Sequence, residues 1–552
     1  MLAQQGGVTD AMLQNPDAAD WPMWRRTLNG WGYSPLDQVT ADNVTELEEV
    51  WSAPLANGIQ EATPLIHDGR MYVPNNGDYI QAFDAATGEA LWEYRRHPQG
   101  QGGGTNRNLA IWGNLIINGS TDNAMYALDA DTGELVWETQ VLPPRAPARA
   151  SSGPIIADGR VITGRQCQPQ ATHEACIITA HDAATGEELW RTRTIPRPGE
   201  AGDETWGDVP LDERWHVGTW MVPSYDAELG LIYIGTSVTI PAPKFLLGGV
   251  DLEHLYHNST LALDVETGEI VWYYQHVNDH WDLDHPFERI LVDTAVAPNP
   301  DEVAWINPAL SPGEQRRVIT GVPGKTGLVY TLDRETGEFL WARPTITQNV
   351  IADIDGATGS VTVNRDVIFT RGDQALTICP GTTGGKNFPA GAYSPRTNAI
   401  YMPMQHLCMD ATMRTSERDP SLVYGFGSEQ ILAPGTENVG VIYAVSVETG
   451  ETLWRHEQRA GQMSLLATGG GLIFGGDVAG QFKAFDESTG DVLWQADLGM
   501  QIGGYPVSFA VDGKQYIAAP TGQSLVGAST RRLTPELPDE TAGPRVVVFA
   551  LP

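Results

Sequence analysis

The sequence predicts an all-β fold, an eight-bladed β-propeller closed by pairing of its N- and C-terminal strands, and three observations carry that prediction. A nine-residue pattern, Asp-x-x-Thr-Gly-Glu-x-x-Trp, occurs seven times, ending at Trp92, Trp137, Trp190, Trp272, Trp341, Trp454 and Trp494. Each copy follows a β-rich run such as NAMYAL or GLVYTL, so Thr-Gly supplies the positive-φ turn of a hairpin and Trp sits on the returning strand. Successive Trp are 45, 53, 82, 69, 113 and 40 residues apart, which suits one four-stranded blade per copy plus insertions.

Taken in order, residues 1–20 read as a flexible N-terminal lead-in and 21–552 as a single propeller domain. An eighth Trp, Trp51 in LEEVW, lacks the Asp/Thr-Gly turn ahead of it. The C-terminus holds the complement: PVSFAV, KQYIAAP and RVVVFALP are three strand-like runs with no Trp strand after them. Joined to the Trp51 strand they make a blade shared by both ends of the chain, and closure removes exposed sheet edges. The sixth copy begins at Ser446 instead of Asp, and the seventh has Asp491 in place of Glu. The 113-residue interval before Trp454 is long enough to hold a further unit, so blade number rests on the repeat count. Residues 193–217, 239–258 and 409–436 are Pro/Gly/aromatic insertions without strand alternation, expected as loops gathered on one face and shaping an entrance.

Composition narrows the function classes. The 552 residues carry a net charge of −35, which disfavours nucleic acid and anionic membranes; it suits a basic partner, or simply solubility. No run of 18 apolar residues occurs, so no membrane-spanning helix is expected. The start, MLAQQGGVTDAML, has neither basic nor apolar signal character and reads as a mature N-terminus after signal removal. Four cysteines fall into two local pairs, Cys167 with Cys176 and Cys379 with Cys408, without CxxC or CxxCH. Two disulfides in an oxidising compartment is the reading preferred over free thiols.

The densest polar cluster follows the fourth repeat: His276, Asp279, His280, Trp281, Asp282, Asp284 and His285. Asp282 and Asp284, two apart on an extended segment, face the same way and offer oxygen ligands to one hard cation. The alternative is a solvated acidic loop, or paired carboxylates of a glycan-processing propeller.

At this point the chain resembles the pyrroloquinoline quinone (PQQ) dependent alcohol dehydrogenases, the group that includes methanol dehydrogenase. The repeat is similar to that family's tryptophan-docking motif, and WDLD at 281–284 resembles its catalytic Trp-Asp segment. Further matches run in order: QEATPLI around Glu61, NRNLAIW around Arg107, VGTWMVPSYD around Trp220, GKTGLVYTLDR around Lys325 and ICPGTTGGKN ending at Asn387. The ICP…HLCMD spacing, Cys379 to Cys408, also resembles a family disulfide. The resemblance implies Asp282 as general base, Trp220 flat against the quinone, and Glu61, Arg107, Ser151, Lys325 and Asn387 as polar contacts to PQQ. It implies Ca²⁺ as the metal, with a lanthanide as alternative, held by Glu174, Thr239, Asp282 and Asp284. Thr239 enters because Val238 stands where the family has a metal-binding Asn. Gln462 stands where it has a second stacking Trp. Gln101-Gly102-Gly103-Gly104 replaces the adjacent cysteines over the quinone in methanol-type enzymes, implying a more open lid.

The implied activity is oxidation of a primary or secondary alcohol (a polyol, a sugar or a bulky secondary alcohol such as a mycotoxin) by hydride transfer to PQQ in the periplasm. Electrons would leave to an external acceptor, a cytochrome c, because the chain has no haem-attachment motif. The rival is a non-catalytic PQQ-repeat scaffold, which has no reason to keep Trp220, Lys325, Asn387 and WDLD together.

Overall fold

A computed structural model describes residues 7–97, 104–167, 173–419 and 422–552. Eight sheets of four or five strands, antiparallel except where Tyr33–Ser34 adds in parallel to Gln462–Thr468, follow one another along the chain. Seven of them each end on a strand carrying a motif Trp, from Ala90–Arg95 in the first blade to Val492–Asp497 in the seventh. The eighth contains Val507–Val511, Lys514–Pro520 and Arg545–Ala550, completed by the N-terminal strand Glu48–Pro54 with Trp51 opposite Val548. The expected joining of the chain ends is thus observed.

The motif works as a joint between blades as well as a turn. Asp84 Oδ1 accepts hydrogen bonds from the Ala86 and Thr87 amides and from the Thr87 hydroxyl. Asp129, Asp182, Asp264 and Asp333 repeat the arrangement, which is why Asp and Thr hold their offset. The motif Gly adopts positive φ, +72° at Gly133, and the indole of the preceding blade lies against it: a Cβ there would sit 2.7 Å from Trp92. Four indole N–H groups donate to the residue after the motif Asp of the next blade: Trp51 to Ala85 O, Trp92 to Ala130 O, Trp190 to Val265 O and Trp454 to Glu487 O. Since Trp51 belongs to the eighth blade and Ala85 to the first, the docking also crosses the seam. The indole N–H groups of Trp137, Trp272 and Trp341 are buried without a partner, so at those three joints the docking is by packing alone.

Among the described residues the long interval before Trp454 holds no ninth blade. It contains a hairpin, Ile351–Ile354 with Val361–Val363, and a three-stranded sheet of Ala375–Ile378, Leu407–Met413 and Phe426–Leu432. The last two strands correct the expectation that 409–436 is loop. In the described part of the lead-in, Val8 exchanges backbone hydrogen bonds with Gly113, Leu13 is buried, and Thr9 caps the short helix Asp10–Gln14.

Candidate active site

Most of the site is built at one station of successive blades. Glu61, Arg107, Ser151, Trp220, Asp282 and Asn387 each lie in the segment leading into the first strand of blades one to six, which begin at Leu65, Ala110, Ile155, Ser224, Ile290 and Ala392. Repetition of one loop position around a ring therefore converges side chains from distant sequence. Arg107, Ser151, Trp220, Asp282, Asp284, Lys325 and Asn387 all line a single cavity of about 510 Å³.

Arg107 is the hub of one side of the cavity. Its guanidinium donates to Glu61 Oε2 at 2.6 Å, to Ser151 O at 3.0 Å and to Trp220 O at 3.3 Å, and lies 5.1 Å from the Trp220 ring. Glu61 is fully buried behind it; it also takes the Leu525 amide and does not itself line the cavity. Burial raises the Glu61 carboxyl, with Arg107 opposing. Phe287 meets the Trp220 indole edge-on at 5.4 Å. Asn387 donates to Thr383 O at 2.7 Å. Gln462, expected to offer no stacking surface, is buried away from the cavity with its amide on Gly476 O.

On the opposite side Asp282 sits in the left-handed region, φ +73°, sparsely used outside Gly, Asn and Asp. Its two oxygens are held separately: Lys325 Nζ donates to Oδ1 at 3.0 Å and Tyr424 Oη donates to Oδ2 at 2.8 Å. Lys325 also reaches Asp284 Oδ2 at 3.2 Å, while the Val238 amide donates to Asp284 Oδ1 at 2.8 Å. Asp279 stands behind as a structural carboxylate, accepting from the Trp281 and Leu283 amides and Asn258; these bonds fix the loop that presents Asp282.

Electrostatics separate the two carboxyls. Burial pushes Asp282 up to about 7, against Lys325, with Asp284 adding to the rise. Burial acts on Asp284 too, but Lys325, His216 and the Val238 amide outweigh it and hold that carboxyl low. Lys325, between two carboxylates, is raised despite burial. Burial first, then Asp282 and Asp284, raise the Tyr424 phenol well above its ordinary value, so it remains a donor.

Tyr424 and His216 were not read from the sequence. Both line the cavity, and His216 Nδ1 lies 3.0 Å from Val238 O. Their positions in irregular insertions left no periodic signal to find them by.

Two expected metal ligands are elsewhere. Glu174 is 48% exposed and paired with Arg193 and Arg197, because the short helical turn His173–Ala175 within the Cys167–Cys176 loop points it at those guanidinium groups. Thr239 is buried with its hydroxyl donated to Trp215 O at 2.9 Å, and neither residue lines the cavity. Both expected disulfides, Cys167–Cys176 and Cys379–Cys408, are formed. The lid stretch at 101–103 lies outside the described residues.

The residues present fit a flat polar cofactor. Arg107 Nε, Ser151 Oγ and Trp220 Nε1 are buried at the cavity without partners, and buried polar atoms of this kind call for a ligand or ordered water. For a cation the donor chemistry also fits, since Asp282 and Asp284 supply hard carboxylate oxygens and the Lys325 ammonium between them marks where positive charge belongs. Among the described residues no cluster of three or more His, Cys, Asp or Glu converges as a metal site, so the chain's carboxylates supply only part of a coordination shell.

A propeller ring with a tryptophan-walled, arginine- and lysine-lined cavity and an acid pair at its base defines a quinone-dependent dehydrogenase. The comparisons agree: the glucose/ethanol/alcohol dehydrogenase β-propeller family of PQQ enzymes matches residues 21–353 and 436–517, and the chain belongs to that family. The dehydrogenase subunit of the quinone alcohol dehydrogenase of Komagataeibacter europaeus is 31% identical over 94% of this chain and 74% of its own length. The quinohemoprotein alcohol dehydrogenase ADH IIB of Pseudomonas putida is 28% identical over 100% of this chain and 80% of its own. Among solved structures, the quinohemoprotein alcohol dehydrogenase ADHIIG of Pseudomonas putida HK5 superposes with a TM-score of 0.86 at 25% identity, covering 99% of this chain and 82% of that one. The protein is accordingly a PQQ-dependent oxidoreductase and not a scaffold that kept only the repeat.

Proposed function

We propose that the protein oxidises an alcohol in the periplasm with Asp282 as the general base and passes the electrons to a cytochrome c. One observation supports this most strongly: Asp282, held on both oxygens, faces the same cavity as the unpartnered polar atoms of Arg107, Ser151 and Trp220. Arg107, Ser151, Lys325 and Asn387 would bind and orient the oxygens of PQQ, and Trp220 would give its ring face apolar contact; the quinone so held would supply a two-electron hydride acceptor. Asp282 takes the proton of the alcohol hydroxyl, a role worth about 10²–10⁴-fold in rate. Asp282 and Asp284 would hold Ca²⁺, or a lanthanide in its place, and the cation would supply Lewis acidity.

The volume of about 510 Å³ supports an alcohol larger than methanol beside the cofactor; polyols, sugars and bulky secondary alcohols remain the candidate substrates. Two formed disulfides support an oxidising compartment, and no helix among the described residues is long and apolar enough to cross a membrane. The test is reconstitution with PQQ and Ca²⁺ followed by artificial-dye reduction over an alcohol panel. Dye reduction requiring both additives is expected in the wild type, and none in an Asp282→Asn variant that still binds PQQ. Normal turnover in that variant would remove Asp282 as the base.

A further inference from the structure

We infer that Tyr424 is a positioning residue for alcohol oxidation, its hydroxyl locking the Asp282 carboxylate in the orientation that receives the substrate proton. This rests on the reading of Asp282 as the base.

A carboxylate on a two-bond side chain turns freely about its last bond, and terminal torsions of this kind are broad. Lys325 alone, on Oδ1, leaves that rotation open. The Tyr424 hydroxyl on Oδ2 supplies the second point and fixes the plane, so the lone pairs left over point in one direction. The phenol is itself well anchored. It stands at the end of the inserted hairpin formed by Leu407–Met413 and Phe426–Leu432, where Tyr424 pairs in parallel with Ala242. The Ala242 amide donates to Val423 O at 3.1 Å and the Gly425 amide to Ala242 O at 2.8 Å. Two insertions, from the fourth and sixth blades, are thus stitched together directly at the residue that touches Asp282. The ring also meets Phe426 at 5.6 Å, so a phenylalanine would fill the same space. Packing therefore accounts for the ring, and Asp282 accounts for the hydroxyl.

The holoenzyme carrying Tyr424→Phe tests this by stopped-flow reduction of the bound quinone in a single turnover, with PQQ affinity read separately from tryptophan quenching. The expected result is a rate lowered about 10- to 100-fold, the scale of a misplaced reacting group, with KM for the alcohol and PQQ affinity close to wild type. Leu422→Ala, in the same loop but outside the cavity lining, is expected to keep the wild-type rate. A Tyr424→Phe rate within about twofold of wild type overturns the inference, as does an equal loss in Leu422→Ala, which would make the loop and not the hydroxyl responsible. Turnover by Asp282→Asn would instead overturn the underlying reading, so the two failures are separable.

Discussion

Asp282 and Asp284 are chemically identical and two residues apart, yet their surroundings assign them different protonation behaviour. Burial raises Asp282 to about 7 while Lys325 and the Val238 amide keep Asp284 low. A base must be ionised, so activity is expected to fall as pH drops through the Asp282 value and to recover above it. A cation between the carboxylates favours their charged forms. The acid limb of kcat/KM should therefore move to lower pH as Ca²⁺ is raised; a limb indifferent to Ca²⁺ would place the cation elsewhere. Asp284→Ala should raise the Ca²⁺ concentration needed for half-activation with little change in unfolding midpoint. Cys167→Ser, by contrast, should leave Ca²⁺ affinity unchanged, because Glu174 on that loop is engaged by Arg193 and Arg197 away from the cavity. At this scale the sequence was legible where a side chain sits on a repeated loop station, as with Arg107 and Trp220. It was illegible for Tyr424, whose place depends on two insertions meeting in space, and for the side-chain direction of Glu174, which faces Arg193 and Arg197 outside the cavity lining.

At the scale of the element, the Thr-Gly of each repeat serves two masters. The glycine gives the hairpin its left-handed residue and gives the neighbouring indole room to lie flat, so its replacement offends both. Gly133→Ala combines the cost of a Cβ at φ +72° with one placed 2.7 Å from Trp92. A loss of about 2–4 kcal/mol is expected from strain and overpacking together, read as a lower midpoint in urea. Gly313→Ala has positive φ but nothing within 4 Å, so the difference between the two variants isolates the docking contribution. The nine-residue pattern exposed the turns and the Trp strands before any coordinates. It did not expose the hairpin within 409–436, since that element pairs outside the blades and carries no copy of the motif.

For the whole molecule, net charge is the property with the widest reach. A surface at −35 attracts a basic carrier over a Debye length of about 8–10 Å at ordinary ionic strength. Electron transfer to a basic cytochrome c is therefore expected to slow as salt rises from low to physiological levels and beyond, while dye reduction by a neutral acceptor stays level. Equal salt response for both acceptors would argue against docking by charge. The eight-blade count was readable because each blade announces itself with a Trp, and the seam because both chain ends lacked a complement.

That seam ties the two ends of the chain to one cavity. Strand Glu48–Pro54 pairs with Arg545–Ala550, and Glu61, which accepts from Arg107, also takes the amide of Leu525, 464 residues away. The C-terminal segment thus both closes the ring and backs the Arg107 side of the cavity, so a cut before Leu525 is expected to weaken quinone binding as well as open the circle.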